Sequence, residues 1–223
     1  MFVRHESADR LDPKIVEALS RVQTSTLGHL RDHGFPAGLE PVSRPLKFVG
    51  CAVTVRIPHL DSTAVHVVLD HLRPGDVLVV DQSGDRTRSC FGGMVSYTAA
   101  ARGAVGAVID GRINDVEEIT ELGLPVYSRG VGALTTRILG IEGAINVPVT
   151  VGGTVVNPGD VVFGDSDGVA VLDRDEALDI AELLRGKEEA EPALRARIDA
   201  GASLAESSGA RALFDGASTQ AGV

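Results

Sequence analysis

The chain has 223 residues, of which 43% are apolar and only 4% aromatic, and it contains no tryptophan. That length suits one domain with an aliphatic core. The formal net charge of −10 argues against a nucleic-acid-binding protein, because such proteins need a basic surface.

The cysteine count and the hydropathy pattern further restrict the class of protein. Two cysteines, Cys51 and Cys90, cannot form a disulfide framework or a zinc cage, so we expect two packed, reduced thiols. The N-terminal segment has no apolar signal core, and no apolar run is long enough to cross a membrane. We therefore expect a soluble cytoplasmic protein with neither a membrane nor a nucleic-acid partner.

In the first half of the chain, helices and strands alternate. Helices are predicted over 11–22, 24–34, 61–72, 94–103 and 116–123, and strands over 50–57, 77–81, 105–110 and 125–128. Asp12 is the expected N-cap of the first helix. Thr24 or Ser25 is the expected cap of the second, which should stop at Gly34.

The second half changes character. Strand-like runs over 145–172, separated by Gly-Gly, Asn-Pro-Gly-Asp and Asp-Ser-Asp-Gly turns, predict a β meander. A charged helix follows over 173–200, which Pro192 should break or kink. We expect one α/β sandwich domain over 1–205, with a flexible tail over 206–223.

Two features in the stretch 92–115 suggest chemistry. Gly92-Gly93 precedes a predicted helix, whose N-terminal N–H groups could hold a carboxylate or phosphate, although the pattern alone favours a plain turn. Asp110 ends a buried strand and Asp115 begins the next helix. Asp115 either caps that helix or binds a hard cation such as Mg²⁺.

These motifs are similar to one family. The stretch GGMVSYTAAARGAVGAVIDGRIND, with LPVYSRGV and VNPGDVVFGDSDGVAVL after it, resembles the class II pyruvate aldolases. Those enzymes cleave 4-hydroxy-4-methyl-2-oxoglutarate and 4-carboxy-4-hydroxy-2-oxoadipate, and their group includes the regulator of ribonuclease E activity. The resemblance covers residues 15–185. It implies an αββα sandwich related to phosphohistidine swivelling domains, homotrimers or homohexamers with sites between subunits, and Mg²⁺ or Mn²⁺.

The resemblance also assigns roles to residues. It places a backbone loop for the substrate carboxylate on Gly92, Gly93, Met94 and Val95, and the metal on Asp115. Two positions depart from the family pattern. Asn114 stands where the family has a substrate-binding arginine, and Gly93 stands where it has an acid. Both changes predict an altered substrate.

Other residues have alternative interpretations. Arg112 either replaces the missing arginine as a catalytic group or is a solvated loop residue, and Arg129 either lines the pocket or orders its loop. Asp165 and Asp167 favour a tight turn. The remaining candidates, for which a plain structural role is favoured, are His29 with His33, His66 with Asp70, Cys90, and the acids Glu188, Glu189 and Glu191.

Three functions follow from these residues. The first is a metal-dependent lyase that cleaves or decarboxylates a 2-keto acid, with Asn114 and Arg112 as catalytic candidates. The second is a non-catalytic regulatory protein. The third is another metal-dependent reaction on a less anionic substrate, for which Asn114 would donate a neutral hydrogen bond.

Overall fold

Thirteen strands and eight α-helices form the fold within residues 1–220. The structure is a computed structural model that describes residues 1–220, with only the backbone described for 218–220. The strands are β1 (Phe2–Arg4), β2 (Glu40–Pro41), β3 (Phe48–Arg56), β4 (Asp76–Asp81), β5 (Ser89–Phe91), β6 (Gly106–Asp110), β7 (Arg112–Ile113), β8 (Val126–Ser128), β9 (Gly143–Ile145), β10 (Val149–Val151), β11 (Thr154–Val156), β12 (Val161–Gly164) and β13 (Val169–Leu172). The helices are α1 (Pro13–Ser20), α2 (Thr24–Gly28), α3 (Thr63–Val68), α4 (Gly93–Ala101), α5 (Val116–Leu122), α6 (Ala177–Asp199), α7 (Leu204–Ser207) and α8 (Ala210–Gln220).

Four parallel strands form the centre of a nine-stranded sheet. The order is β1-β9-β3-β4-β6-β8-β2, and β3, β4, β6 and β8 run parallel. The long strand β3 also pairs antiparallel with β12, which in turn pairs with β13. Parallel neighbours need crossover connections, which here contain α3, α4 and α5.

Both faces of this sheet are covered. In β4, Leu78 and Val80 pack in a cluster with residues of α3, α4 and α5. The alternate residues Val77 and Val79 pack in a second cluster with apolar residues of the β10–β11 hairpin. Burial on both faces explains why the central strands are apolar throughout instead of alternating with polar residues.

A third cluster attaches the terminal helices. Residues of α1, α2 and α6 pack on β12 and β13, with Leu19, Phe163 and Leu184 among the most deeply buried. Asp12 caps α1 as predicted, because its carboxylate accepts a hydrogen bond from the Lys14 N–H at 2.9 Å.

The second predicted helix is shorter than expected. It ends at Gly28 instead of continuing to Gly34, whose carbonyl accepts a hydrogen bond from the Val171 N–H. Thr24 does not cap it. Both the N–H and the hydroxyl of Thr24 donate to the buried Asp165 carboxylate instead. Tertiary contacts with the 164–171 region therefore override the local helix pattern.

The predicted meander is divided between two sheets. The β10–β11 hairpin is a separate two-stranded sheet, whereas β12 and β13 join the main sheet beside β3. The turn between β11 and β12 is held to β3, since the Ala52 N–H donates to the Asp160 carbonyl and the Gly159 N–H donates to the Ala52 carbonyl. The meander prediction was wrong because the partner of β12 lies a hundred residues earlier in the chain.

The C-terminal helices extend beyond the core. Helix α6 runs through Pro192 without interruption, and its buried residues Ala177, Ala181 and Leu184 all lie in its first half. Helices α7 and α8 follow where the sequence predicts a flexible tail, and residues 221–223 of that tail lie outside the described part. Within residues 1–220, no helix combines the length and apolarity that a membrane crossing requires.

Candidate functional site

Two short parallel strands place two helix starts side by side. Strand β5 pairs with β7, and the Asn114 N–H donates to the Phe91 carbonyl at 3.1 Å. Helix α4 begins directly after β5 and helix α5 directly after β7. The site therefore forms where both strands end, which is the edge at which α/β folds usually bind ligands.

Gly92 and Gly93 leave room for side chains that lie against their backbone. A Cβ atom at Gly92 would lie 2.5 Å from Asn114 Nδ2 and 2.8 Å from Asp115 Oδ2. A Cβ atom at Gly93 would overlap the Oε2 atom of Glu118. Any larger residue at either position would push these polar groups away.

Asp115 caps the neighbouring helix and not its own. Its φ of +56° is left-handed, and its side chain makes no capping bond to α5. Its Oδ2 atom instead accepts a hydrogen bond from the Gly93 N–H, at 2.8 Å, at the first residue of α4. Of the two alternatives for Asp115, the cap of α5 is therefore wrong, because the left-handed backbone directs the carboxylate across to α4.

The Asp115 carboxylate is exposed and ionised at neutral pH. The hydrogen bond from the Gly93 backbone, together with one from the Asn114 side chain, lowers the pKa of Asp115, and slight burial opposes the shift only weakly. An ionised, accessible carboxylate meets the first requirement for binding a hard cation.

The side-chain amide of Asn114 has two hydrogen-bond partners, Ser89 and Asp115. Its Oδ1 atom accepts a hydrogen bond from the Ser89 hydroxyl at 2.5 Å, and its side chain also bonds to Asp115. Asn114 thus lies inside the site and holds Asp115 in place. Its predicted contact with substrate stays a prediction.

The start of α4 supplies backbone N–H groups. The first N–H groups of a helix have no partner within the helix. Asp115 takes the N–H of Gly93, and those of Met94 and Val95 follow in the same turn. The predicted cradle for an anion at Gly92–Val95 therefore has to share its first N–H with a carboxylate of the chain itself.

Asp110 is a structural anchor. It is buried, pairs with Arg129 and Arg86, and accepts a hydrogen bond from the Gly152 N–H at 2.9 Å. Burial alone would raise the pKa of Asp110, but the hydrogen bonds from Arg129 and Gly152 outweigh it and lower that pKa. Arg129 also donates to the Gly38 carbonyl, which shows that it orders its loop.

Arg112 is bound to loop carbonyls. Its Nε atom donates to the Arg86 carbonyl at 2.5 Å, and an Nη atom donates to the Val131 carbonyl at 2.6 Å. These contacts match the structural role that the sequence also allowed. Its alternative, catalytic role stays a prediction.

The other candidates have structural contacts. Asp165 closes the β12–β13 turn, as predicted, and accepts hydrogen bonds from Thr24. Asp70 pairs with Arg102 instead of His66, and burial raises the pKa of Cys90 to about 12, which makes that thiol unreactive. The helix acids have local partners: Glu188 with Gln23 and Thr26, Glu189 with Arg185, and Glu191 with Arg195.

Sequence reasoning missed Glu118. It lies three residues after Asp115, a spacing that puts two side chains on the same face of a helix. That spacing was the available signal, but it does not reveal that the same face meets Gly93. Within residues 1–220, no three His, Cys, Asp or Glu side chains gather as a metal-binding group.

The fold and the site define a mixed α/β protein with paired carboxylates at the ends of parallel strands. The family described as RraA-like, Aldolase/RraA, matches residues 13–171. The chain therefore belongs to the RraA-like family, as the sequence motifs indicated.

Individual relatives carry both kinds of name found in this family. A Halalkalibacterium halodurans protein, provisionally named 4-hydroxy-4-methyl-2-oxoglutarate aldolase, is 35% identical over 150 residues, which are 67% of this chain and 71% of the relative. The crystal structure of Streptomyces coelicolor RraAS2, described as an unusual member of the RNase ES inhibitor RraA family, matches with a TM-score of 0.75 and 31% identity. That match covers 84% of this chain and 98% of the other.

A third comparison agrees on the fold. The RNA-processing inhibitor RraA from Thermus thermophilus matches with a TM-score of 0.62 and 26% identity, over 69% of this chain and 93% of the other. These neighbours confirm the mixed α/β class. The relation to phosphohistidine swivelling domains stays a prediction.

Proposed function

We propose that this protein is a divalent-metal-dependent carbon–carbon lyase that cleaves or decarboxylates a 2-keto acid. The observation that carries the proposal is the Asp115 carboxylate, exposed and fixed at the start of α4 beside the Glu118 carboxylate. Relatives named as 4-hydroxy-4-methyl-2-oxoglutarate aldolases support the reaction class.

The residues present fit magnesium or manganese better than zinc. Mg²⁺ is commonly held by one or two carboxylates together with water, whereas zinc prefers a cage of nitrogen and sulfur ligands. Asp115 would be the direct ligand, since hydrogen bonds already orient it and lower its pKa. A bound Mg²⁺ or Mn²⁺ would supply Lewis-acid stabilisation of the negative charge that develops on the keto acid.

The chain's own groups would bind and orient the substrate. The N–H groups of Met94 and Val95 would donate to its carboxylate, at the positive end of the α4 dipole. Asn114 would keep Asp115 in position, because the Ser89 hydroxyl holds the Asn114 amide oxygen. Substrate binding would thus depend on backbone donors, without the guanidinium that the family pattern places at position 114.

Substitution of Asp115 tests this function. Asp115→Asn keeps a residue type that tolerates the left-handed backbone and still accepts the Gly93 hydrogen bond, but it removes the charge. We expect it to abolish Mg²⁺ and Mn²⁺ binding by calorimetry and Mg²⁺-dependent pyruvate release from oxaloacetate. Its free energy of unfolding should change by less than about 1 kcal/mol. Unchanged metal affinity would remove Asp115 from the site.

A regulatory role is the second candidate. One structural neighbour is described as an unusual member of an RNase ES inhibitor family and another as an RNA-processing inhibitor, and both favour this role. The absence of an arginine at position 114 favours it too. Inhibition of a purified RNase E-type enzyme by both wild type and Asp115→Asn, without lyase activity in either, would establish this role instead.

A further inference from the structure

The Glu118 carboxylate lies over the Cα atom of Gly93, the first residue of α4. A Cβ atom placed on Gly93 would overlap its Oε2 atom, and the next closest side-chain oxygen is Asp115 Oδ2, at 3.4 Å from the same point. Gly93 itself is buried. Two carboxylates from the first turn of α5 therefore meet over one glycine of α4.

Local helix geometry explains this convergence. Residues three apart lie on one face of a helix, so Glu118 follows Asp115 onto the face that meets α4. Glu117 lies two residues from Asp115 and faces elsewhere, and its side chain is exposed. The chain thus offers a neighbouring glutamate of the same type, on the same helix, as a matched control.

The pair presents two neighbouring carboxylates to solvent. Two like charges held close together repel each other unless a cation or proton compensates them. Asp115 and Glu118 are both solvent-accessible. Asp115 is fixed by two hydrogen bonds, whereas Glu118 reaches the same place as the end of a longer side chain. A divalent cation beside Asp115 would draw Glu118 toward the same position.

We infer that Glu118 is the second carboxylate of the candidate site and binds, together with Asp115, the same divalent cation, directly or through its water ligands. This inference rests on the proposed function and names a group that the sequence did not single out. It also explains why residue 93 is a glycine. A side chain at that position would displace Glu118, so the site's second acid comes from α5 and not from the loop before α4.

Calorimetric titration of the full-length protein with Mg²⁺ and with Mn²⁺ tests the inference. Loss of a group that supports a metal site commonly lowers affinity 10- to 100-fold. We expect Glu118→Gln to lower the affinity for both cations by about that factor. Glu117→Gln should bind both cations with wild-type affinity. Circular dichroism should show the same helix content in all three proteins.

Relocating the carboxylate separates a charge effect from a structural one. The double variant Gly93→Glu with Glu118→Ala returns an acid to the same volume from α4, and we expect it to regain part of the affinity that Glu118→Ala alone loses. Gly93→Glu with Glu118 retained should not bind more tightly than wild type, because the two side chains compete for one space.

The outcomes distinguish the two proposals. Wild-type affinity in Glu118→Gln, combined with lost binding in Asp115→Asn, would overturn the role of Glu118 and leave the proposed function intact. Failure of the relocated acid to restore any binding would also overturn it. If wild-type protein bound neither cation, both the lyase proposal and this inference would fall.

Discussion

At the scale of single residues, the site depends on how Asn114 is held. Its amide oxygen accepts from Ser89 and its side chain bonds to Asp115, which is fixed in turn by the Gly93 N–H. This chain of hydrogen bonds orients an exposed carboxylate that would otherwise sample several rotamers. Asn114, which stands where the family pattern has an arginine, therefore orders Asp115, the proposed metal ligand, and brings no charge of its own.

Asn114→Arg should raise activity on keto acids and lower the stability of the fold. A guanidinium pairs with a carboxylate through two parallel bonds that are about twice as strong as neutral ones. We expect faster pyruvate release from oxaloacetate, about tenfold for each 1.4 kcal/mol of regained transition-state binding. Loss of the Ser89 contact should lower the free energy of unfolding by about 1 kcal/mol.

Asn114→Lys is the control, since it adds charge without the fork geometry and should gain less. If metal still binds and Asn114→Arg gains no activity, the pocket serves a less anionic substrate.

At the scale of elements, Asp61 ties α3 to the segment 137–141. It is fully buried, and its carboxylate accepts hydrogen bonds from the N–H and hydroxyl of Thr63 and from the N–H groups of Leu139 and Ile141. Burial alone would raise the pKa of Asp61, but these hydrogen bonds outweigh it and hold the pKa well below its usual range. One ionised side chain therefore orders both the start of a helix and a distant loop.

Asp61→Asn should destabilise the fold by about 1–3 kcal/mol at pH 7, because an amide cannot accept from so many donors. A lowered folded-state pKa contributes stability that is fully present above the unfolded value, near 4, and is lost as the pH falls toward the folded pKa. The difference in free energy of unfolding between wild type and Asp61→Asn, measured with urea, should therefore shrink below about pH 4.

Asp70→Asn is the control. It removes an exposed ion pair and should change the free energy of unfolding by less than about 0.5 kcal/mol. An equal effect of both substitutions would contradict the role of Asp61.

At the scale of the whole molecule, one exposed loop is unusually apolar. Its large aliphatic residues that face solvent are Val131, Leu134, Ile138, Leu139 and Ile141. The loop also runs beside the site, since the Ser89 N–H donates to the Leu134 carbonyl and Gly132 bonds to Ile113. Met94, at the start of α4, is 74% exposed. Apolar surface of this kind marks an interaction site, and here it adjoins the candidate metal ligands.

We expect this surface to be covered in a homotrimer or homohexamer. Size-exclusion chromatography with light scattering at micromolar concentration should give three or six times the mass of the chain. Ile138→Asp should shift the mass toward the monomer, because a charge would then have to be buried. Leu213→Asp changes an even more exposed aliphatic residue, on α8, and should leave the mass unchanged. A monomeric wild type would argue against a site shared between subunits.

The sequence by itself determined the family, the central α/β alternation and the stretch that forms the site. Those features depend on local signals: apolar runs in strands, caps such as Asp12, and a continuous motif from Gly92 to Asp115. Tertiary structure decided which polar groups meet. Only the pairing of β5 with β7 brings Asp115 to the N–H of Gly93 and Glu118 over its Cα atom. Only contacts more than a hundred residues apart bind Thr24, at the start of α2, to Asp165 and divide the β10–β13 strands between two sheets. Spacing along one helix predicts which side chains share a face, but what that face meets depends on the packing of the whole chain.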